Sequence, residues 1–178
     1  PQIMESNPSE LTVCITGGAG RIAYALIPLV CNGLVFGPNV RIHLRLLDIP
    51  MAATRLEGTV MEINDCTYPL VESVVGSDSP EIGFSGCDVC ILLGGHPRLP
   101  GMERKDLLAK NVEGIKQQAE DLAKYTHNNV KVLVVANPAN TNCLIAMEAA
   151  PSIPRENFSC LTRLDEERFR HLISIAVN

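Results

Sequence analysis

The sequence has no excess of positive charge, no long apolar run and no cysteine framework. Lysine and arginine number 15 against 20 aspartates and glutamates, a net charge of −5. No basic stripe appears, so nucleic acid and anionic membrane are excluded as main partners. No apolar stretch approaches the length that spans a bilayer. The opening PQIMESNPSE is not a signal peptide, and its missing initiator Met is expected of a processed or trimmed N-terminus. The seven cysteines are an odd number at scattered positions, several within apolar runs, as buried thiols of a reducing compartment tend to be. Cys87 and Cys90 form a CxxC. They fall in an expected strand, where positions three apart face opposite sides, so neither a redox pair nor a zinc half-site is expected. No metal site is expected elsewhere.

Internal repeats and low-complexity segments are also missing. What remains is a chain of 178 residues, 46% hydrophobic, long enough to bury about 70% of its unfolded surface around one core. Short apolar runs alternate with helical patterns. The runs cover 11–16, 40–48, 70–75, 87–95, 130–137 and 158–164, and the helix candidates lie near 20–32, 51–65, 103–126 and 140–149. VKVLVVA is apolar on both faces, which suits a parallel sheet covered on both sides. The longest helix shows Leu108, Val112, Ile115, Ala119 and Leu122 at alternating spacings of four and three. This pattern predicts an α/β doubly wound parallel sheet. Pro28 falls inside the first helix, where a bend or early stop is expected. Pro151 and Pro154 mark a turn before the last strand, dividing residues 11–150 from 151–178.

Two places carry chemistry. The first strand runs into TGGAGRIA, in which Gly17, Gly20 and Ala23 are spaced G-x-x-G-x-x-A. Small residues there let the backbone turn tightly and approach a pyrophosphate resting on the next helix N-terminus. The second strand ends at Asp48. A carboxylate there accepts bonds from the adenosine ribose hydroxyls and repels a 2′-phosphate, which favours NAD over NADP. The second place is the loop GGHPRLPGMER, with Arg98 and Arg104 between a strand and the longest helix. Guanidinium groups read carboxylates or phosphates in bidentate fashion, and strand-end loops are where function is usually carried. On position alone, two solvated surface charges would serve as well.

TGGAGRIA is similar to the opening of the extended short-chain dehydrogenases, which need a Tyr-x-x-x-Lys pair. Four residues after Tyr24, Tyr68 and Tyr125 stand Pro28, Glu72 and Asn129, so that reading fails. The tracts TGGAGRIAYAL, LLDIPM, MEINDCTYPL, PRLPGMERKDLL, NVKVLVVANPANTNC and APSIPRENFSCLTRLDEER carry another resemblance. They resemble malate dehydrogenases of the cytosolic type, within the lactate/malate dehydrogenase family, over about residues 11 to 170.

That resemblance implies a Rossmann NAD-binding domain followed by the start of a catalytic domain. It implies hydride transfer between NAD(H) and malate or oxaloacetate, a tricarboxylic acid cycle reaction, in a cytoplasmic homodimer. Arg168 would grip the C1 carboxylate, Arg104 would hydrogen-bond the C2 oxygen, and Arg98 would bind the distal carboxylate. Asn137 would orient substrate and nicotinamide. Asp165 would pair with a catalytic histidine, expected on a later strand beyond Asn178. His43, His96, His127 and His171 do not fit that place. Cofactor contacts are implied for Gly17, Gly20, Arg21, Ile22, Ala23, Asp48, Gly94, Asn111, Gln118, Val135 and Asn137. Arg21 stands where the family usually has Gln. The alternatives are a standalone dinucleotide-binding domain and a lactate dehydrogenase derived from a malate enzyme. Arg98 opposes the latter, since lactate dehydrogenases carry a neutral residue there.

Overall fold

The computed structural model describes residues 9–96 and 100–177, the side chains of residues 104, 107 and 108 excepted. Strands β1 (Glu10–Thr16), β2 (Arg41–Leu47), β3 (Val71–Ser77), β4 (Val89–Leu92), β5 (Lys131–Val134) and β6 (Phe158–Cys160) form one sheet. Its order is β3-β2-β1-β4-β5-β6, and every pairing is parallel. The chain therefore winds outward one way from β1 and then the other way from β4. The crevice between the ends of those two strands is where open α/β sheets bind ligands.

The described helices are α1 (Arg21–Cys31), α2 (Ala53–Cys66), α3 (Pro80–Phe84), α4 (Arg104–Tyr125), α5 (Ala139–Ala149) and α6 (Arg163–Val177), with single 3₁₀ turns at Pro50–Ala52 and Arg155–Asn157. Alternate strand residues feed two cores, as the doubly apolar strands require. Val13 and Ile15 join Ala23, Ile27, Leu44, Leu46 and Leu56 on the α1–α2 face. Cys14 and Leu92 join Ile115, Ala119, Leu122, Val132 and Val134 on the α4–α5 face. The periodic residues Ile115, Ala119 and Leu122 of the longest helix are buried.

Four local expectations are corrected. Helix α1 continues through Pro28 to Cys31 rather than stopping early. Its end is set by Gly33, at φ +76°. The Gly33 and Leu34 N–H groups turn back to the carbonyls of Val30 and Leu29, a Schellman closure that favours glycine. Helix α3 was not expected. With five residues it is too short to show a 3.6-residue period, yet it places Phe84 in the core. The run 158–164 is strand only to Cys160, and α6 begins at Arg163. Finally, Cys87 and Cys90 do not face opposite sides. Cys87 precedes β4, outside strand alternation, and shares one core cluster with Cys90 and Cys14. A hydrogen bond from Cys90 lowers the Cys87 thiol pKa, while burial raises that of Cys90.

Candidate active site

The glycine turn is packed so tightly that side chains are excluded by contact. Gly17 has φ +68°, and a Cβ there would lie 3.0 Å from the Cα and N of Gly94. A Cβ on Gly18 would lie 2.7 Å from the Cβ of Leu46. One on Gly20 would meet the Gly17 carbonyl at 2.9 Å, the oxygen that the Gly20 N–H already reaches. Gly20 caps α1 with no side chain. The first N–H groups of the helix therefore have no intrahelical partner and point into the turn. Bare backbone beside a helix N-terminus is the cradle that a pyrophosphate needs.

Two side chains hold this cradle. Thr16 Oγ1 accepts the Gly94 N–H at 3.0 Å, joining the ends of β1 and β4. Asp48, half-buried at the end of β2, accepts the Ala19 N–H on Oδ2 at 2.9 Å and the Ile49 N–H on Oδ1 at 2.8 Å. A carboxylate has roughly four acceptor positions, so Asp48 organises the turn and keeps capacity for a ligand hydroxyl. Gly18 and Thr16 escaped the sequence reading. The GG pair was a visible signal for Gly18, whereas nothing in the sequence marks Thr16.

Ala23 is buried under the turn, and Ile22 is exposed. Arg21 is exposed and, with Arg55 across from it on α2, lines a groove of about 460 Å³ beside the turn. In that groove the Tyr24 hydroxyl bonds to Glu62, which raises the tyrosine pKa.

The second half of the crevice is the pair of strand ends β4 and β5. The N–H groups of Val135 and Ala136 both reach the Leu92 carbonyl at 3.0 Å, which sets Asn137, exposed, just beyond the sheet. The Asn137–Pro138 peptide is cis. Asn111 lies beneath, 2% exposed. Its Oδ1 accepts the His96 N–H at 2.8 Å and its Nδ2 donates to the Asn137 carbonyl at 2.9 Å. Gln118 Nε2 donates to the Gly94 carbonyl at 3.4 Å. Asn142 on α5, unmarked in the sequence, donates Nδ2 to the Ala136 carbonyl at 2.8 Å.

Arg98 lies outside the described residues. Arg104 is the first residue of α4, behind a capping box in which Glu103 and Asp106 exchange side-chain-to-backbone bonds. The crevice thus gathers Gly17, Gly20, Asp48, Gly94, Asn111, Gln118, Val135 and Asn137. It does not gather Asp165 and Arg168. These pair with each other at 3.7 Å on α6, a helix with no buried residue, whose Leu164, Phe169, Leu172 and Ile173 are exposed. His43 bonds Ser73, and His127 approaches Asp88 at 3.3 Å, both toward the N-terminal ends of the strands, away from the crevice.

Residues 11–159 match the NAD-binding domain of lactate/malate dehydrogenase. The chain belongs to that family. The cytoplasmic malate dehydrogenase of Gallus gallus is 52% identical over 165 residues, 93% of this chain and 49% of the relative. That of Taenia solium is 51% identical over 170 residues, 96% and 51% of the two chains. Among solved structures, the malate dehydrogenase of Naegleria fowleri superposes with a TM-score of 0.87 at 44% identity, covering 92% of this chain and 50% of that one. The lactate dehydrogenase of Trichomonas vaginalis, solved with NADH and oxamate, gives 0.87 at 38% identity, covering 94% and 50%.

This family member spans about half the length of the relatives it matches. Its cofactor is NAD. The residues present fit that group: three glycines whose Cβ positions are occupied by protein atoms, an uncapped helix N-terminus, and an acidic residue closing β2.

Proposed function

We propose that the chain is the NAD-binding part of a cytoplasmic-type malate dehydrogenase, a homodimer that interconverts malate and oxaloacetate. Residues 11–150 make the dinucleotide-binding unit, and residues 151–178 supply the last strand and begin the catalytic part. The observation that carries this reading is one crevice with the pyrophosphate cradle and Asp48 on one side and Asn137 on the other. Arg104 opens α4, the helix that follows β4.

NAD, when bound, supplies the carbon centre that exchanges hydride with C2 of the substrate. The chain's own residues bind and orient. The N–H groups at the start of α1 hold the pyrophosphate, with Arg21 and Ile22 at its edge. Asp48 accepts ribose hydroxyls, and Gly94 and Val135 let the nucleotide lie against the strand ends. Asn137 orients the nicotinamide and the substrate. Arg104 donates to the C2 oxygen and stabilises the charge that develops there, a contribution typically worth about 10²–10³ in rate. Arg98 takes the distal carboxylate and Arg168 the C1 carboxylate. Asp165 holds the tautomer of a histidine supplied from outside this sequence.

The similarity to a lactate dehydrogenase at 38% identity supports keeping a monocarboxylate substrate as the second reading, and Arg98 separates the two. A site built on a charge rejects an analogue lacking it by roughly 10⁴-fold or more. In the enzyme carrying the whole reading frame, Arg98→Leu should collapse oxaloacetate turnover while pyruvate turnover holds or rises. Unchanged oxaloacetate turnover refutes the dicarboxylate assignment. The 178-residue chain alone should bind NADH and oxidise it with oxaloacetate at no more than a trace rate.

A further inference from the structure

The buried amides beneath the crevice belong to no part of the mechanism above. Asn111 is almost fully enclosed, so little of it is left to meet a ligand, and its two polar atoms are spent on the backbone. Oδ1 takes the N–H of His96, at the root of the arginine loop, and Nδ2 takes the carbonyl of Asn137. No other side-chain hydrogen bond described in the structure joins these two segments through one residue. Asn142, fully buried, holds the neighbouring Ala136 carbonyl from α5. Its Oδ1 is buried with no hydrogen-bond partner among the described residues. A leucine of similar size would carry no such penalty at that place, so packing alone does not account for an amide there.

We propose that Asn111 and Asn142 are positioning residues that clamp the Ala136–Asn137 backbone and fix Asn137 relative to His96, beyond β4, and to α4. This rests on the reading of Asn137 as the residue facing nicotinamide and substrate. Because Arg104 lies two turns earlier on the same helix, the bond from Asn111 to Asn137 also sets the spacing between α4 and the end of β5. The adenosine half of the site has its own supports, Asp48 and Thr16, so the two halves are separable.

ADP-ribose fills the adenosine and pyrophosphate half alone, whereas NADH also engages the nicotinamide end. In Asn111→Leu both bonds of Asn111 are lost, leaving the Asn137 carbonyl without its donor; in Asn142→Leu the donor to Ala136 is lost. Calorimetric titration of each variant should show NADH weakened roughly tenfold, the effect of one orphaned buried carbonyl, with ADP-ribose within about twofold of the unmodified chain. Equal weakening of both ligands would mean direct cofactor contact or general damage and overturns the proposal. Lower thermal stability with both affinities intact would mean a purely structural role and also overturns it.

If the variants do not fold, hydrogen exchange on the unmodified chain decides. The His96 amide sits in an exposed loop yet should exchange slowly, because its partner is buried, and fast exchange refutes the clamp. An unmodified chain that binds neither nucleotide would overturn the NAD reading, and the exchange measurement would still decide the clamp.

Discussion

Replacing Gly17 by alanine should damage both stability and nucleotide binding, and the structure separates the causes. At φ +68° an L-residue is in the left-handed region, which costs about 1–2 kcal/mol. The added Cβ would also stand 3.0 Å from the Cα and N of Gly94. That neighbour is backbone and must shift by a few tenths of an ångström, straining its 3.0 Å bond to Thr16. Overpacking of this kind adds about 1–3 kcal/mol, for a total of about 2–5 kcal/mol. Gly86 is the internal control. It has φ +62° with nothing within 4 Å of its Cβ position, so Gly86→Ala should cost only about 1–2 kcal/mol. Denaturant unfolding of the two variants isolates the contact, and at about 2–4 °C per kcal/mol the thermal midpoints should differ visibly. NADH titration by fluorescence should show Gly17→Ala weakened more than about tenfold and Gly86→Ala unchanged. Equal destabilisation of the two, with NADH binding intact in Gly17→Ala, would refute the account of the turn.

Asp48→Ser should narrow the preference for NADH over NADPH, because the repelling carboxylate is gone, and should weaken NADH because the Ala19 N–H loses its partner. Paired titrations with the two nucleotides check this, and an unchanged ratio rejects the ribose role. Burial raises the Cys31 thiol from its ordinary value near 9 to about 11. The folded chain therefore keeps a proton that the unfolded chain releases, and stability should be complete below about pH 9 and fall as pH rises through 11. Thermal midpoints across that range should fall less steeply in Cys31→Ala, and identical slopes would reject the assignment.

The legible parts of the fold were those written in local pattern. Both-face apolar runs announced a parallel sheet, and the four-and-three spacing in α4 announced the helix whose Ile115, Ala119 and Leu122 are buried. TGGAGRIA announced the turn through the need for small residues. The misreadings have separate causes, each set by where an element begins or ends. Cys87 was placed on the wrong side because β4 starts only at Val89. Pro28 was read as a bend or an early stop, and the early stop is absent: the helix ends where Gly33 and Leu34 close on Val30 and Leu29. Helix α3 was too short for a period.

The sequence alone determined the alternation of elements, the glycine turn, and the presence of Asp48, Asn137 and the arginine pair, because these follow from residue type and short spacing. Only the tertiary structure decided what holds them. The carboxylate of Asp48 reaches Ala19, 29 residues away, and Thr16 bonds Gly94, 78 residues away. Asn111, read from the sequence as a cofactor contact, is buried and bonds both the His96 N–H and the Asn137 carbonyl. A side-chain amide looks the same in sequence whether it faces a ligand or a carbonyl. Burial and partner distance tell the two apart, and both exist only once the sheet has brought β4 and β5 side by side.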